Sequence, residues 1–403
     1  MSARTVRYFD RVIEYGVYLY IPAMFISISL WQLALTAILL AWLVKHVVTH
    51  GRHLGYLRHP LVWIGMVFGA LVLLSTSYAP DTLNVLGAYK NTIGAAMILL
   101  LAVPDVFKDE RRQQRLLRLM AYSALGIVLV QFGRYVADGL TYETIQNYSH
   151  YRNMAEPLAL YLPFALAAAF LSGKSSRAFL WITVVVLQLG LLLATGARGA
   201  WAGIAVALFL WLLLKPERKF VIFVTALALM ALALYIWLPP GNILSKRIAE
   251  ELMGGSAIER LDRLWLQTYE MIAARPLLGY GYGDYFGELN RQSAQHPEWV
   301  VYRPGPYGPH NNFLDIWFSA GIIALACLIY LYARFFGQLV ATIRSSVSPL
   351  SMYFALATLC AFTTHFLVRS FVDDMNWRPL GVLMGIAVAL SAVRRTADPA
   401  NSI

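Results

Sequence analysis

The chain has 403 residues, 59% hydrophobic and 14% charged, with a mean hydropathy of +0.58. Soluble domains run at roughly 45–50% apolar and 25% charged, so this composition excludes a soluble globule and indicates an all-α polytopic membrane protein. The formal charge of +11 is dispersed through short loops between apolar runs instead of forming one basic stripe, which argues against a nucleic-acid partner and for contact with membrane lipids.

At about 17–25 residues per membrane crossing, twelve spans follow in chain order. They lie near residues 12–29, 31–48, 61–77, 83–103, 119–137, 157–171, 178–195, 198–214, 220–238, 313–335, 352–370 and 378–393. The first run has no small-residue cleavage signal behind it and reads as a retained span. Twelve spans divide the loops into two alternating sets. One set comprises the N-terminus, the loops near 45–59, 104–118, 172–177, 215–219 and 334–350, and the C-terminus, and it holds twenty Lys and Arg. The short loops of the other set hold Arg152, Arg198, Arg369 and Arg378. The positive-inside rule then makes both termini cytoplasmic and leaves one large extracytoplasmic loop, 239–312, between spans nine and ten. No internal repeat, low-complexity tract or linker divides the chain, so 1–403 reads as a single integral membrane domain. The two cysteines, Cys327 and Cys360, fall inside apolar runs and offer neither a disulfide framework nor a thiolate metal site.

Within the large loop, residues 256–274 read as an amphipathic helix. Leu261, Leu264, Trp265, Thr268 and Ile272 fall on one face, and Arg260, Arg263, Gln267 and Glu270 on the other, at helical spacing. Pro276 stops it, and Pro276-Leu-Leu-Gly-Tyr-Gly-Tyr-Gly283 is a glycine-rich turn whose backbone can approach a partner closely. No Gly-Lys-Ser/Thr follows, so this is not a nucleotide-binding loop.

His310 is the sharpest candidate for chemistry. Pro304, Pro306 and Pro309 stiffen the chain before it, and the apolar run that follows puts the imidazole where a membrane helix meets water. Its pKa range suits it to take a proton from a hydroxyl; the plainer reading is an interfacial structural histidine. Asn311 can orient that ring or cap the following helix. Arg198, flanked by Gly196 and Gly199, has room to hold a diphosphate through its guanidinium fork, or else snorkels to the interface. Arg260 and Arg263 are diphosphate ligands or solvated helix charges. Lys90 and Arg134 lie within apolar spans, where a buried cation marks a functional site or a structural pair. Arg152, in the loop before span six, is a further polar candidate on the outer side. Tyr280, with Tyr282, Tyr285, Tyr302 and Tyr307, can stack on sugar rings or form an interfacial belt. Asp373 and Asp374 are a carboxylate pair without the His/Glu cluster that metal spacing requires.

Four pieces of sequence, taken together and in order, resemble the O-antigen ligase and polymerase superfamily. They are Thr195-Gly-Ala-Arg-Gly-Ala-Trp201 opening a span, Arg-Leu-Asp-Arg-Leu-Trp265, the Pro276–Gly283 turn, and His-Asn-Asn-Phe-Leu-Asp-Ile-Trp-Phe-Ser-Ala-Gly-Ile-Ile from His310. The motifs cover roughly 195–325. The resemblance implies a GT-C-like, metal-independent, inverting glycosyltransferase without cofactor, in the inner membrane of a Gram-negative bacterium, with its active site facing the periplasm. It implies a glycan donor on undecaprenyl diphosphate and, for a ligase, the lipid A-core as acceptor. It assigns His310 to the acceptor hydroxyl, and Arg198 with an arginine of the loop helix to the diphosphate. The family's arginine four residues before the tryptophan is Leu261 here, flanked by Arg260 and Arg263. Within the superfamily, O-antigen polymerase and protein O-oligosaccharyltransferase are the alternatives to lipopolysaccharide ligation. The polymerases' arginine followed eleven residues later by glycine is absent from the outer loops, and the chain lacks the extra C-terminal sequence of the protein-glycosylating members. A transporter is the alternative outside the superfamily, but the halves show no repeat and no paired broken spans.

Overall fold

A computed structural model of the chain describes residues 3–52, 54–137, 150–173, 175–195, 197–237, 264–296, 299, 308–346, 348–369 and 377–397. Among these residues every regular element is helical and no strand occurs. The helices are α1 (Ala3–Ala23), α2 (Ile28–Val48), α3 (Pro60–Ser75), α4 (Thr82–Tyr89), α5 (Ala95–Val106), α6 (Glu110–Ala137), α7 (His150–Leu171), α8 (Ser176–Ala194), α9 (Arg198–Leu214), α10 (Arg218–Trp237), α11 (Leu266–Ala274), α12 (Tyr285–Ser293), α13 (Asn312–Ser345), α14 (Pro349–Arg369) and α15 (Trp377–Ala397). A π-helical turn, Lys90–Gly94, joins α4 to α5. Each apolar run read from the sequence overlaps helix, the run 83–103 extending over α4, the π-helical turn and α5.

Eight stretches of the described residues are helical, long and apolar enough to cross a membrane, which makes this a multi-pass membrane protein; α9 and α15 are apolar over a shorter length. Helix α1 departs from the expected first span. It begins at Ala3 and ends at Ala23, and its first half carries Arg4, Arg7, Asp10, Arg11 and Glu14. Those charges are used. Lys45 of α2 lies 2.7 Å from both Asp10 and Asp105, His46 stands 3.0 Å from Asp105, and Arg112 of α6 lies 3.3 Å from Glu14. A buried ion is tolerated only when paired on several sides, and this network ties α1, α2, α5 and α6 together at one end of the bundle.

Helix α14 is the centre of the molecule. Buried residues run along all its faces from Leu350 to His365, as expected of a helix enclosed by others, and α7, α9, α13 and α15 pack around it. Close approach between helices uses small residues. A Cβ at Gly203 of α9 would sit 3.1 Å from the Thr364 backbone of α14, and one at Gly381 of α15 would sit 2.3 Å from the Ala96 carbonyl oxygen of α5. The starts of α7, α9, α13 and α15 and the end of α14 therefore share the opposite end of the bundle from the Lys45–Asp105 network.

Candidate active site

The sequence shows one unbroken apolar run from 313 to 335, but the structure breaks it. Gly321 has φ 78° and ψ 179°, non-helical values inside α13. A break frees backbone groups that must find other partners when buried, and the glycine-rich turn supplies them. The Phe318 carbonyl accepts from Tyr280 N–H at 2.8 Å, the Ser319 carbonyl from Gly281 N–H at 2.9 Å, and Ile322 N–H donates to the Pro276 carbonyl at 3.0 Å. Trp317 Nε1 donates to that same carbonyl at 3.1 Å. The close backbone partner expected of the Pro276–Gly283 turn is thus the protein's own helix. The turn also grips the segment between α3 and α4 and the π-helical turn after α4. The Tyr78 hydroxyl donates to the Leu278 carbonyl, the Tyr282 and Thr92 hydroxyls share a hydrogen bond of 3.1 Å, and a Cβ at Gly281 would meet Ala79 Cβ at 2.5 Å.

A small apolar core forms above this clasp from Met271, Ile272, Tyr280, Tyr285, Leu289, Trp299 and Phe318. Helix α11 buries Gln267, Thr268, Met271 and Ile272, as Leu264 just before it is buried, while Leu266, Tyr269 and Glu270 are exposed. Gln267 is therefore buried, not on the polar face that the sequence spacing gave it; the start of that helix, with Arg260 and Arg263, lies outside the described residues. Tyr280 also faces inward. Its ring stacks on Phe318 at 4.9 Å and 13°, the Arg275 guanidinium lies over the ring 4.9 Å from its centroid, and its hydroxyl donates to the Met271 carbonyl at 2.9 Å. Tyr280, Tyr282 and Tyr285 are all buried and pack within the protein. Burial works against the charge of Arg291, but its hydrogen bonds and proximity to Asp284 and Glu288 hold its pKa above the ordinary guanidinium value and brace α12.

His310 stands at the head of this assembly. It is half-buried and adopts φ +51°, a conformation uncommon outside glycine. The residues on either side fix it. The Pro309 carbonyl accepts from Trp265 Nε1 at 3.0 Å, and Asn311 Oδ1 accepts from Phe313 N–H at 3.0 Å and Leu314 N–H at 3.2 Å. Of the two roles open to Asn311, it takes the helix cap. The half-helix 312–320 then presents its N-terminal end, with its partial positive charge, beside His310. The Phe313 ring lies 5.7 Å from Phe366 of α14, which brings His310 to the end of the central helix.

The other expected site residues divide. Arg198 is the first residue of α9 and Arg152 lies in the first turn of α7, at the same end as His310; their side chains lie outside the described set. Lys90 opens the π-helical turn and, like Arg134, is not covered by other helices. Asp373 and Asp374 lie outside the described residues.

Three residues at this end carry interactions the sequence reading passed over. Glu156 of α7 is buried, its Oε2 accepting from Arg369 Nη2, and its Oε1 lies 3.2 Å from Nδ1 of fully buried His365. The signal was present: His365 is an ionisable residue inside an apolar run and Glu156 directly precedes one, where isolation is costly.

The fold and this site define a polytopic helical membrane protein with polar chemistry at one end of the bundle, organised around a broken helix and its clasp. Comparison with known proteins finds the chain similar to O-antigen ligases. Residues 183–329 match the family model described as O-antigen ligase, a stretch running from α8 through the break in α13. The O-antigen ligase of Salmonella typhimurium is 26% identical over 346 residues, covering 80% of this chain and 81% of that protein. The O-antigen ligase of Pseudomonas aeruginosa is 32% identical over 150 residues, 37% of this chain and 32% of that one.

Proposed function

We propose that the protein is a lipopolysaccharide O-antigen ligase, an inverting glycosyltransferase that moves O-antigen from undecaprenyl diphosphate to the lipid A-core on the periplasmic face of the inner membrane. The observation that carries this reading is the placement of His310, held at φ +51° on a capped half-helix, at the end of the bundle where Arg198 and Arg152 also start their helices. In the reaction His310 accepts the proton of the acceptor hydroxyl while that oxygen bonds to the anomeric carbon from the face opposite the leaving group. The anomeric C–O bond to diphosphate breaks, and the negative charge gathering on the departing diphosphate is met by Arg198 and by Arg260 or Arg263 of the loop helix. The activated donor supplies the driving force, so no nucleotide is consumed, and the guanidinium groups take the place of a metal ion.

Deletion of the gene tests the reading on a lipopolysaccharide gel. Polymer-bearing lipopolysaccharide is expected to vanish while full-length lipid-linked glycan accumulates, and purified protein is expected to transfer that glycan in excess EDTA. Single-repeat lipopolysaccharide in the deletion strain would make the protein a polymerase instead, and transfer abolished by chelator and restored by one divalent ion would overturn the metal-independent step.

The twelve-span topology, with 239–312 as the periplasmic loop, is tested by single cysteines in a chain lacking Cys327 and Cys360. Gln295 and Gln114 are both exposed. A cysteine at 295 is expected to react with an impermeant thiol reagent from outside, and one at 114 only after permeabilisation. Equal labelling from outside sinks the topology.

A further inference from the structure

We infer that the glycine-rich clasp is a re-entrant membrane element. Residues 276–281, inside a loop whose sequence reads as lying outside the membrane, reach into the bilayer and present Leu277 and Leu278 to lipid acyl chains. This stands apart from the ligase reading, since it uses only where the clasp is bonded and which side chains it leaves uncovered.

The two helices that hold the clasp give its depth. Both belong to stretches long and apolar enough to cross a membrane, Pro60–Tyr78 and Asn312–Ser345. In α13 no charged residue lies between Asp315 and Arg334, and α3 carries none after Arg58 and His59. Arg58 and Arg334 lie toward the end of the bundle that holds the Lys45–Asp105 network: Arg58 follows α2, and Ser348, just past α13, donates to Glu110 at the start of α6. Gly321 is 13 residues before Arg334, about 20 Å at 1.5 Å per residue. A Cβ at Gly281 would stand 3.2 Å from the Ser75 carbonyl oxygen, and Ser75 is 15 residues after Pro60, about 22 Å by the same rise. The two distances agree. Measured from those charges, a hydrocarbon core of about 30 Å encloses the clasp in roughly its outer third, and tilt of the helices sets it deeper.

The backbone is bonded as a place without water requires. The N–H groups of Gly279, Tyr280 and Gly281 donate to the carbonyls of Arg275, Phe318 and Ser319, and the carbonyls of Pro276 and Leu278 accept from Ile322 N–H and the Tyr78 hydroxyl. Pro276 has no N–H to place. A turn standing in water can leave such groups to solvent.

The side chains fit the same medium. Leu277 and Leu278 are each 64% exposed, although leucines of a loop in water gain by being covered. The surface around them is apolar and joins that of the crossing helices. Exposed Tyr78 is bonded to Leu278, and Leu73 and Leu74 before it are exposed; on the other side Ile323, just past the break, is exposed. Trp317, bonded to Pro276, and Tyr269, whose ring lies 6.3 Å from it, are the aromatic types that border a membrane's apolar core. Continuity with helices that lipid surrounds makes acyl chains the occupant.

Leu277→Cys and Leu278→Cys, each made in the full chain lacking Cys327 and Cys360, are labelled with a nitroxide and reconstituted into palmitoyl-oleoyl-phosphatidylcholine vesicles. Ile323→Cys and Gln295→Cys are the standards for lipid and for water, and only protein eluting as a single detergent-stable species is used. Collision with oxygen, which concentrates in hydrocarbon, is compared with collision with a water-soluble nickel chelate. The oxygen-to-nickel ratio at 277 and 278 is expected to match that at 323 and to exceed that at 295 severalfold. A ratio like that at 295 puts the clasp in water and overturns the inference. Little collision with either reagent means that protein, not lipid, covers these leucines, and overturns it equally. Either position decides alone should the other label poorly.

Discussion

His310→Ala is expected to lower turnover by roughly 10² to 10⁴, the range over which a positioned general base contributes, while affinity for the diphosphate donor stays nearly unchanged. The separation follows from the proposed roles. In those roles the imidazole addresses the acceptor hydroxyl and the guanidinium groups serve the leaving group. Arg198→Lys is the contrasting variant: lysine keeps the charge but cannot reproduce a two-point contact with phosphate oxygens, so donor binding and turnover should fall together. Both are read by lipid diphosphate binding and single-turnover transfer on protein that elutes as a single detergent-stable species. Full turnover in the histidine variant, or a donor-binding loss as large as the arginine variant's, removes His310 from the role of base.

Gly321→Ala is expected to be the most disruptive small substitution in the molecule. Its φ of 78° and ψ of 179° belong to a region that only glycine occupies without strain, and an added Cβ would lie 1.9 Å from the Leu277 carbonyl oxygen. Strain and overpacking of this kind cost about 1–3 kcal/mol each, so a loss of roughly 3 kcal/mol or more is expected, with the clasp between 276–281 and 318–322 opened. Because that clasp aims the half-helix behind His310, turnover should fall as well. Gly337→Ala in the same helix is the control: a Cβ there meets nothing within 4 Å, and alanine is the better helix former by about 1 kcal/mol. Equal melting temperatures and activities for the two variants would mean that the break at Gly321 does not position the site.

Much of this was legible in the sequence because membrane helices are specified locally. Apolar length marks helices of membrane-crossing size, and eight stretches of the described residues are long and apolar enough to cross, with Asn311 capping the start of α13 as a residue of its type does. His310 could be singled out because proline-stiffened polar sequence meets an apolar run at that point. Periodicity did less well where neighbours decide. Gln267 sits at a polar position by spacing, yet it is buried because the loop core covers that face of α11.

What only the tertiary structure decided is where the backbone and the charges find partners far along the chain. Gly321 ends one helix and begins another because the 276–281 turn is there to take the freed carbonyls and to supply one in return; without that turn, an unbroken helix would satisfy the same residues better. Glu156 and Arg369, 213 positions apart, are each costly in a membrane on their own and become tolerable as a pair once α7 lies against α14. Local composition records the cost of such groups, but the compensating partner is set by packing, which a single sequence does not display.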